Sequence, residues 1–435
     1  TIIMTINLKN FLGTNKKTSK MVDFQELKGI QGLQVSAVSA DLYKNRRDDI
    51  SLFYFPEGSN YAVAYTQSSI VSESIIWNRK NTKNNIKALV VNTKNANTFT
   101  GEQGLTSLDD IAKTLLDSLK KIENENQYEK TKIKDILFAS TGVIGEEFPV
   151  EKIRNSIPNL VSNLRINQNK LIWLKVASAI MTTDTKPKVA YSEIKLGDKI
   201  VKIAGLAKGS GMIAPNLATM FSFIFTDADI SSVVLNKYLN KVLANTFNAI
   251  TVDSDTSTND MVAIFATKKI KNKKLNTISS REAGKFEKAL KTVCLELAKQ
   301  IVVDGEGAKK FITVKVINSE TINRAKNIAF SIANSPLVKT AVAGEDPNWG
   351  RILMGMGKSG EKIDPKKIII KLGEFIVAEN GKISDSYNEE KLQEYMKWDS
   401  IVIEVDLKQG HEHYECYTCD FTHDYIDINA HYRRS

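Results

Sequence analysis

Seven polar loops, five of them glycine-bearing, interrupt a regular alternation of strand-like and helix-like segments, and that rhythm most narrows what this chain can become. They are NTKNANTFTGEQG (92–104), STGVIGE (140–146), TTDTKPK (182–188), KGSGMIAPNLATM (208–220), TVDSDTSTND (251–260), VVDGEGAKKF (302–311) and AVAGEDPNWGRILMGMG (341–357). Between them, period-two apolar patterns mark strands in 29–43, 49–55, 60–66, 87–93, 134–141, 261–269, 311–317, 367–377 and 400–407. Helical spacing appears in 107–122, through Leu108, Ile111, Leu115, Leu116 and Leu119 with Thr106 or Ser107 as cap. It returns in 173–185, 231–250 and 280–302; the last has the stripe Ala283, Phe286, Leu290, Val293 and Leu297, and a capping-box pattern of Ser279 with Glu282. Strands fall in pairs between helices, which predicts a mixed α/β architecture over an all-parallel one. Loops of this composition gathered at strand ends are where sites are built.

The chain of 435 residues is long enough for two or three domain-sized units, and residues 1–30 read as a loosely held lead-in. No apolar run reaches a membrane span, and the N-terminal stretch lacks the apolar core of a secretory signal. Three cysteines predict a reducing compartment without a disulfide framework, hence a cytoplasmic protein. The net charge of +10 is spread among 60 basic and 50 acidic residues, and the densest run, 268–274, has no interleaved aromatics. That reads as a solvated loop, with no nucleic-acid partner.

Three chemistries compete for the loops. A phosphate loop fails at GMGKSG (355–360), because the required earlier glycine is Ile352. GEGAKKF (305–311) fails too. A zinc site is offered by the last 25 residues, which hold His411, His413, His423 and His431 with Cys416-x-x-Cys419; a single such pair is a modest signal, and an ordinary strand with surface histidines explains it equally. The third is a nucleophile. No histidine accompanies a G-x-S-x-G elbow. Thr219, between the Pro215-Asn216 turn and the apolar run 220–225, either opens a strand as β-branched residues do or acts as a nucleophile after a cut before it. In the second case its own α-amine, with an intrinsic pKa of about 7.7–8.0, serves as base.

Taken together, KGSGMIAPNLATM, STGVIG, MTTDT, TVDSDTSTND, DGEGAKKF, GEDPNWGRI and CDFTHDYIDINAHYR resemble the ornithine acetyltransferase (ArgJ) family, the glutamate N-acetyltransferases of arginine biosynthesis. The blocks come in the family's order from residue 92 to the C-terminus, and GLQVSAVSADLY extends the match upstream. The resemblance implies a layered α/β/β/α sandwich with a smaller C-terminal lobe. It also implies a precursor that cuts itself between Ala218 and Thr219 into chains 1–218 and 219–435, which stay associated as a tetramer of two copies of each. Thr219 would carry the acetyl group from N-acetylornithine to glutamate by a ping-pong route, with acetyl-CoA open as a second donor and no cofactor or metal. Thr141 and Gly142 would stabilise the oxyanion, and Thr182, Lys208, Thr219, Glu306 and Asn429 would contact substrate. An amidase or aminopeptidase on a similar self-cleaving scaffold is the alternative.

Three departures from the family pattern bear on loop shape. The chain ends His431-Tyr432-Arg433-Arg434-Ser435, which shifts the terminal substrate contact to Ser435 or removes it. Lys94 and Phe99 stand where smaller residues are usual, and Ser254 where glycine is common. Cys419 and His423 fall in a block the family uses without metal, which argues against zinc.

Overall fold

The computed structural model describes residues 27–83, 85–214 and 220–430. Ala218, Thr219, His431 and Ser435 lie outside the described residues.

Strand β2 (Ile50–Tyr65) is the spine of the larger part of the molecule. The sequence reads as two strands here, but the chain continues through Pro56 and Gly58 by shifting register between Tyr54 and Ser59. Its first half pairs with β1 (Gln34–Val38) and β3 (Ile86–Asn92), and its second half with β8 (Met261–Ala266). Together with β4 (Ile136–Ser140), β5 (Lys188–Leu196), β6 (Lys199–Lys208) and β7 (Phe221–Thr226) they give the order β4-β3-β2-β8-β7-β6-β5, with β1 against β2. The β3/β4 and β7/β8 pairs are parallel and the rest antiparallel.

The layering follows from side-chain alternation. In β2, Phe53 and Phe55 point into one core with Leu89, Leu137, Leu206, Phe223, Phe225 and Phe265, so the two halves of the sheet face each other. Leu52 and Tyr54 point the other way, onto α2 (Gly101–Glu125) and α3 (Val150–Ser162) through Leu108, Ile111, Leu115, Ile153 and Ile157. On the opposite flank Ile203, Ile224, Val262 and Ile264 meet α5 (Ser232–Leu243) and α6 (Arg281–Val303). Helix, sheet, sheet, helix is therefore the order of layers. The helix α4 (Lys170–Ala179) closes the inner core with Trp173, while α1 (Glu73–Asn81) sets Trp77 edge-on to Phe138.

Phe225 is fully buried and stacks at 5.1 Å on Phe53 and 5.6 Å on Phe265. Phe225→Ala is expected to cost about 3–5 kcal/mol, because the stacked rings around it cannot collapse into the void. A fall in the urea midpoint at unchanged slope would register it.

The smaller lobe is a six-stranded sheet, β12-β11-β10-β13-β9-β14, made of β9 (Phe311–Ser319), β10 (Ile369–Leu372), β11 (Phe375–Glu379), β12 (Lys382–Ile383), β13 (Ser400–Asp406) and β14 (Glu412–Cys419). It is covered by α7 (Ile322–Ala333), α8 (Pro336–Ala343), α9 (Trp349–Gly357) and α10 (Glu389–Met396). Phe311, Tyr417 and Cys419 pack into the core of the larger part, which fuses the two. A last helix, α11 (His423–Ala430), follows β14.

Several local expectations are corrected. Helix α2 begins at Gly101 after Thr100, earlier than Ser107. In α6 the cap is Ser280, whose side chain accepts from the Ala283 amide; Glu282 instead accepts from the Gly197 amide, so no Ser279 box forms. The 231–250 helix stops at Leu243. Residues 367–377 are a hairpin, not one strand, because Gly373 at φ +61° turns the chain. Cys416 and Cys419 are three apart on a strand and so point to opposite faces, Cys416 into the lobe core and Cys419 into the larger core. They cannot share a metal ion.

Candidate active site

The loops that the sequence set apart converge on a cavity of about 290 Å³. Its lining brings together Thr141, Gly142, Thr182, Lys208, Glu306 and Asn429, every candidate contact that falls within the described residues. Five of the seven loops supply lining residues, and 92–104 braces them from behind. The seventh, 341–357, supplies none and lies in the lobe.

Strand β4 delivers Thr141 and Gly142. Flanking amides are committed, Thr141 N–H to the Asn92 carbonyl at 3.1 Å and Val143 N–H to the Lys94 carbonyl at 3.0 Å. The Gly142 N–H meets no acceptor among the described residues. Gly142 sits at φ +138°, and a Cβ there would lie 2.2 Å from the Lys94 carbonyl carbon, so only glycine allows the two loops to approach. Asn259 holds this end in place, donating to the Ser140 carbonyl at 2.7 Å and to that of Ala96 at 2.5 Å.

Lys208 ends β6, is buried, and donates to Thr141 Oγ1 at 3.2 Å. A hydroxyl that accepts from an ammonium keeps its own proton to donate, so Thr141 can turn O–H into the cavity beside the Gly142 N–H. Two donors at one strand end form a site for developing negative charge. Burial pushes the Lys208 ammonium below its usual range, with Asp184 the largest opposing influence.

The opposite wall is acidic. Glu306 follows α6, its amide donating to the Ser210 carbonyl at 2.9 Å, and its carboxylate accepts from Asn429 Nδ2 at 2.6 Å. Gly211 makes this approach possible, since a Cβ there would stand 2.4 Å from the Glu306 carboxylate. Asp253 accepts from the Met212 and Ile213 amides and from Tyr425 Oη at 3.0 Å, which seats α11 and its Asn429 over the opening. Thr182 comes from the turn after α4, its amide donating to Asp184 Oδ2 at 3.0 Å.

Beside the opening, Met220 donates its amide to Asp260 Oδ1 at 2.7 Å. The Asp260 carboxyl is fully buried, its Oδ2 has no partner among the described residues, and burial raises its pKa well above the carboxylate range. Thr183, Met212, Ser257 and Asn259 also line the cavity and were not singled out from sequence. Their loops were, so the missing signal was which loop residue faces inward.

A layered sandwich whose strand ends set an ammonium and two neutral donors opposite a carboxylate around one cavity has the arrangement of an enzyme site. The chain belongs to the ArgJ family, whose model matches residues 34–434. It is 41% identical over 409 residues to the arginine biosynthesis bifunctional protein ArgJ of Gluconobacter oxydans, covering 94% of this chain and 93% of that protein. The protein of the same name from Mesorhizobium japonicum is 42% identical over 409 residues, covering 93% and 95%. Among solved structures, ArgJ from Bacillus halodurans is 40% identical, with a TM-score of 0.46, covering 47% of this chain and 96% of that one. The ornithine acetyltransferase of Mycobacterium tuberculosis, complexed with ornithine, is 23% identical with a TM-score of 0.37, covering 44% and 97%.

Proposed function

We propose that this enzyme transfers the acetyl group of N-acetylornithine to glutamate through an acetyl-threonine ester on Thr219, and that acetyl-CoA serves as a second donor. The observation that carries this reading is the cavity itself, with Lys208 and the Thr141–Gly142 donors on one side and Glu306 with Asn429 on the other. A substrate carboxylate pairs with Lys208, and the ornithine ammonium with Glu306. The relatives named as bifunctional arginine-biosynthesis proteins match over nearly the whole chain, which supports the pair of activities.

In the precursor, Thr219 Oγ attacks the Ala218 carbonyl. The peptide becomes an ester, the Thr219 amine is freed, and water cleaves the ester to leave chains of 218 and 217 residues. That amine then takes the Oγ proton as Oγ attacks the acetyl carbonyl, and the proton leaves with ornithine. Glutamate nitrogen attacks the ester in turn and restores the free hydroxyl. Both tetrahedral intermediates place their oxyanion on Thr141 and Gly142. Two copies of each chain form the working particle, in the cytoplasm; no helix among the described residues is long and apolar enough to cross a membrane.

Glutamate acetylation assayed side by side with N-acetylornithine and with acetyl-CoA tests the reading. Acetylglutamate is expected from both donors. Release of free acetate from N-acetylornithine with no acetylglutamate would overturn transfer in favour of an amidase.

A further inference from the structure

Next to the cavity, but lining none of it, lies a buried charge cluster that the reaction above does not use. Lys188, the first residue of β5, is 0% exposed and donates to Asp184 Oδ1 at 2.7 Å and to Asp304 Oδ2 at 2.6 Å. Asp184 also accepts from the Gly209 amide at 2.7 Å and the Thr182 amide at 3.0 Å. Asp304 also accepts from the Thr185 amide at 2.9 Å and from the Thr185 hydroxyl. Two carboxylates share one lysine, so the cluster carries a surplus negative charge in a place where charge is costly.

Its counterpart is Lys208, one residue before the Gly209 amide that Asp184 holds. Four ionisable groups face that ammonium: Asp184, Asp260 and Glu306 favour its charge and Lys188 opposes it. Burial raises the Asp260 carboxyl well above the usual carboxylate range, and the Glu306 carboxylate accepts from Asn429 on the cavity side. Of the groups that favour the Lys208 charge, Asp184 has the largest influence. Hydrogen bonds of the same cluster fix the backbone at 182–185 and at 209, the two segments that carry Thr182 and Lys208.

We propose that Asp184, Lys188 and Asp304 form a positioning triad whose net negative charge keeps Lys208 a charged anchor for the substrate carboxylate, so that the cavity selects amino acids with a free carboxylate. This inference rests on the acetyl-transfer reading of the same cavity. None of the three touches substrate; they act through Lys208.

The test is the pH profile of kcat/KM for N-acetylornithine, which reports ionisations of the free enzyme and free substrate. Substrate titration is common to all variants and cancels in the comparison. Asp304→Asn removes negative charge and is expected to move the basic limb down by about one pH unit, whereas Lys188→Gln removes positive charge and moves it up. The double variant, which restores the net charge, is expected to return toward the wild-type limb. A structural role alone would lower the plateau without opposite displacements, and that result overturns the triad. If Asp304→Asn does not fold, Lys188→Arg against Lys188→Gln decides: Arg is expected to hold the wild-type limb, and coincident limbs overturn the proposal. An inactive wild type overturns the acetyl-transfer reading, and this inference with it; an active wild type with undisplaced variants overturns only the triad.

Discussion

Thr219→Ala is expected to leave one uncleaved species on a denaturing gel and by intact mass, where the wild type is expected to give two chains, the second beginning at Thr219. Acetyl transfer is expected to fall by about 10⁴-fold or more, since nucleophile and general base are lost together. The size follows because no imidazole or thiol among the described residues lines the cavity. All four histidines lie in the last 25 residues, and His411, His413 and His423 line no part of the cavity. Buried Cys294, Cys416 and Cys419 are held as thiols by burial and face the cores. Thr219→Ser keeps the hydroxyl and is expected to cleave, at a reduced rate. A wild type that stays whole, or an alanine variant that still cleaves, would remove Thr219 from the mechanism.

The surroundings suit a junction that must be cut. C-terminal to that junction, Met220 is pinned at both ends, its amide donating to Asp260 Oδ1 and its carbonyl accepting from the Met261 amide. On the other side Ile213 is held by Asp253. Both anchors come from the 251–260 loop, so that loop fixes the chain before and after the proposed cleavage site. The Asp184–Lys188–Asp304 cluster would then bridge the two products, because Asp184 and Lys188 precede the cut and Asp304 follows it.

Fold class was legible because β2, β3 and β4 alternate cleanly between two cores, and because α6 carries an apolar stripe over 23 residues. The β5/β6 hairpin was missed although it has a signal: Gly197 and Asp198 form a two-residue turn between alternating strands, with Leu196 opposite Lys199. Helix α3 was missed too; Pro158 lies inside it, and proline reads as a break. For the site, residue types and loops were legible but not their convergence. Lys208, Glu306 and Asn429 are separated by some hundred residues each, and periodicity carries no information across such distances. The resemblance supplied that link, and its departures within the described residues share a backbone feature. Lys94, Phe99 and Ser254 all adopt left-handed backbone, at φ +71°, +60° and +64°, where glycine is at less cost.

Gly142→Ala is expected to reduce kcat by about 10²–10³-fold while KM for N-acetylornithine changes little. Its added Cβ would meet only backbone, at 2.2 Å from the Lys94 carbonyl carbon, 2.3 Å from its oxygen and 2.6 Å from the Asn95 nitrogen. No side-chain rotation relieves such contacts, and φ +138° is itself closed to alanine, so β4's end must move away from the 92–104 loop. That movement withdraws the Gly142 N–H and disturbs the Thr141 hydroxyl, the two donors proposed to meet the oxyanion only in the transition state. Glu306 and Asn429 lie on the opposite wall and are expected to keep the ground-state contacts proposed for them. Thr141→Val provides the comparison: it removes one donor without touching the backbone, so its loss of kcat should be smaller, while the loss of the acceptor for buried Lys208 lowers thermal stability. An equal rise in KM for both variants, with kcat preserved, would move this strand end from oxyanion stabilisation to plain substrate binding.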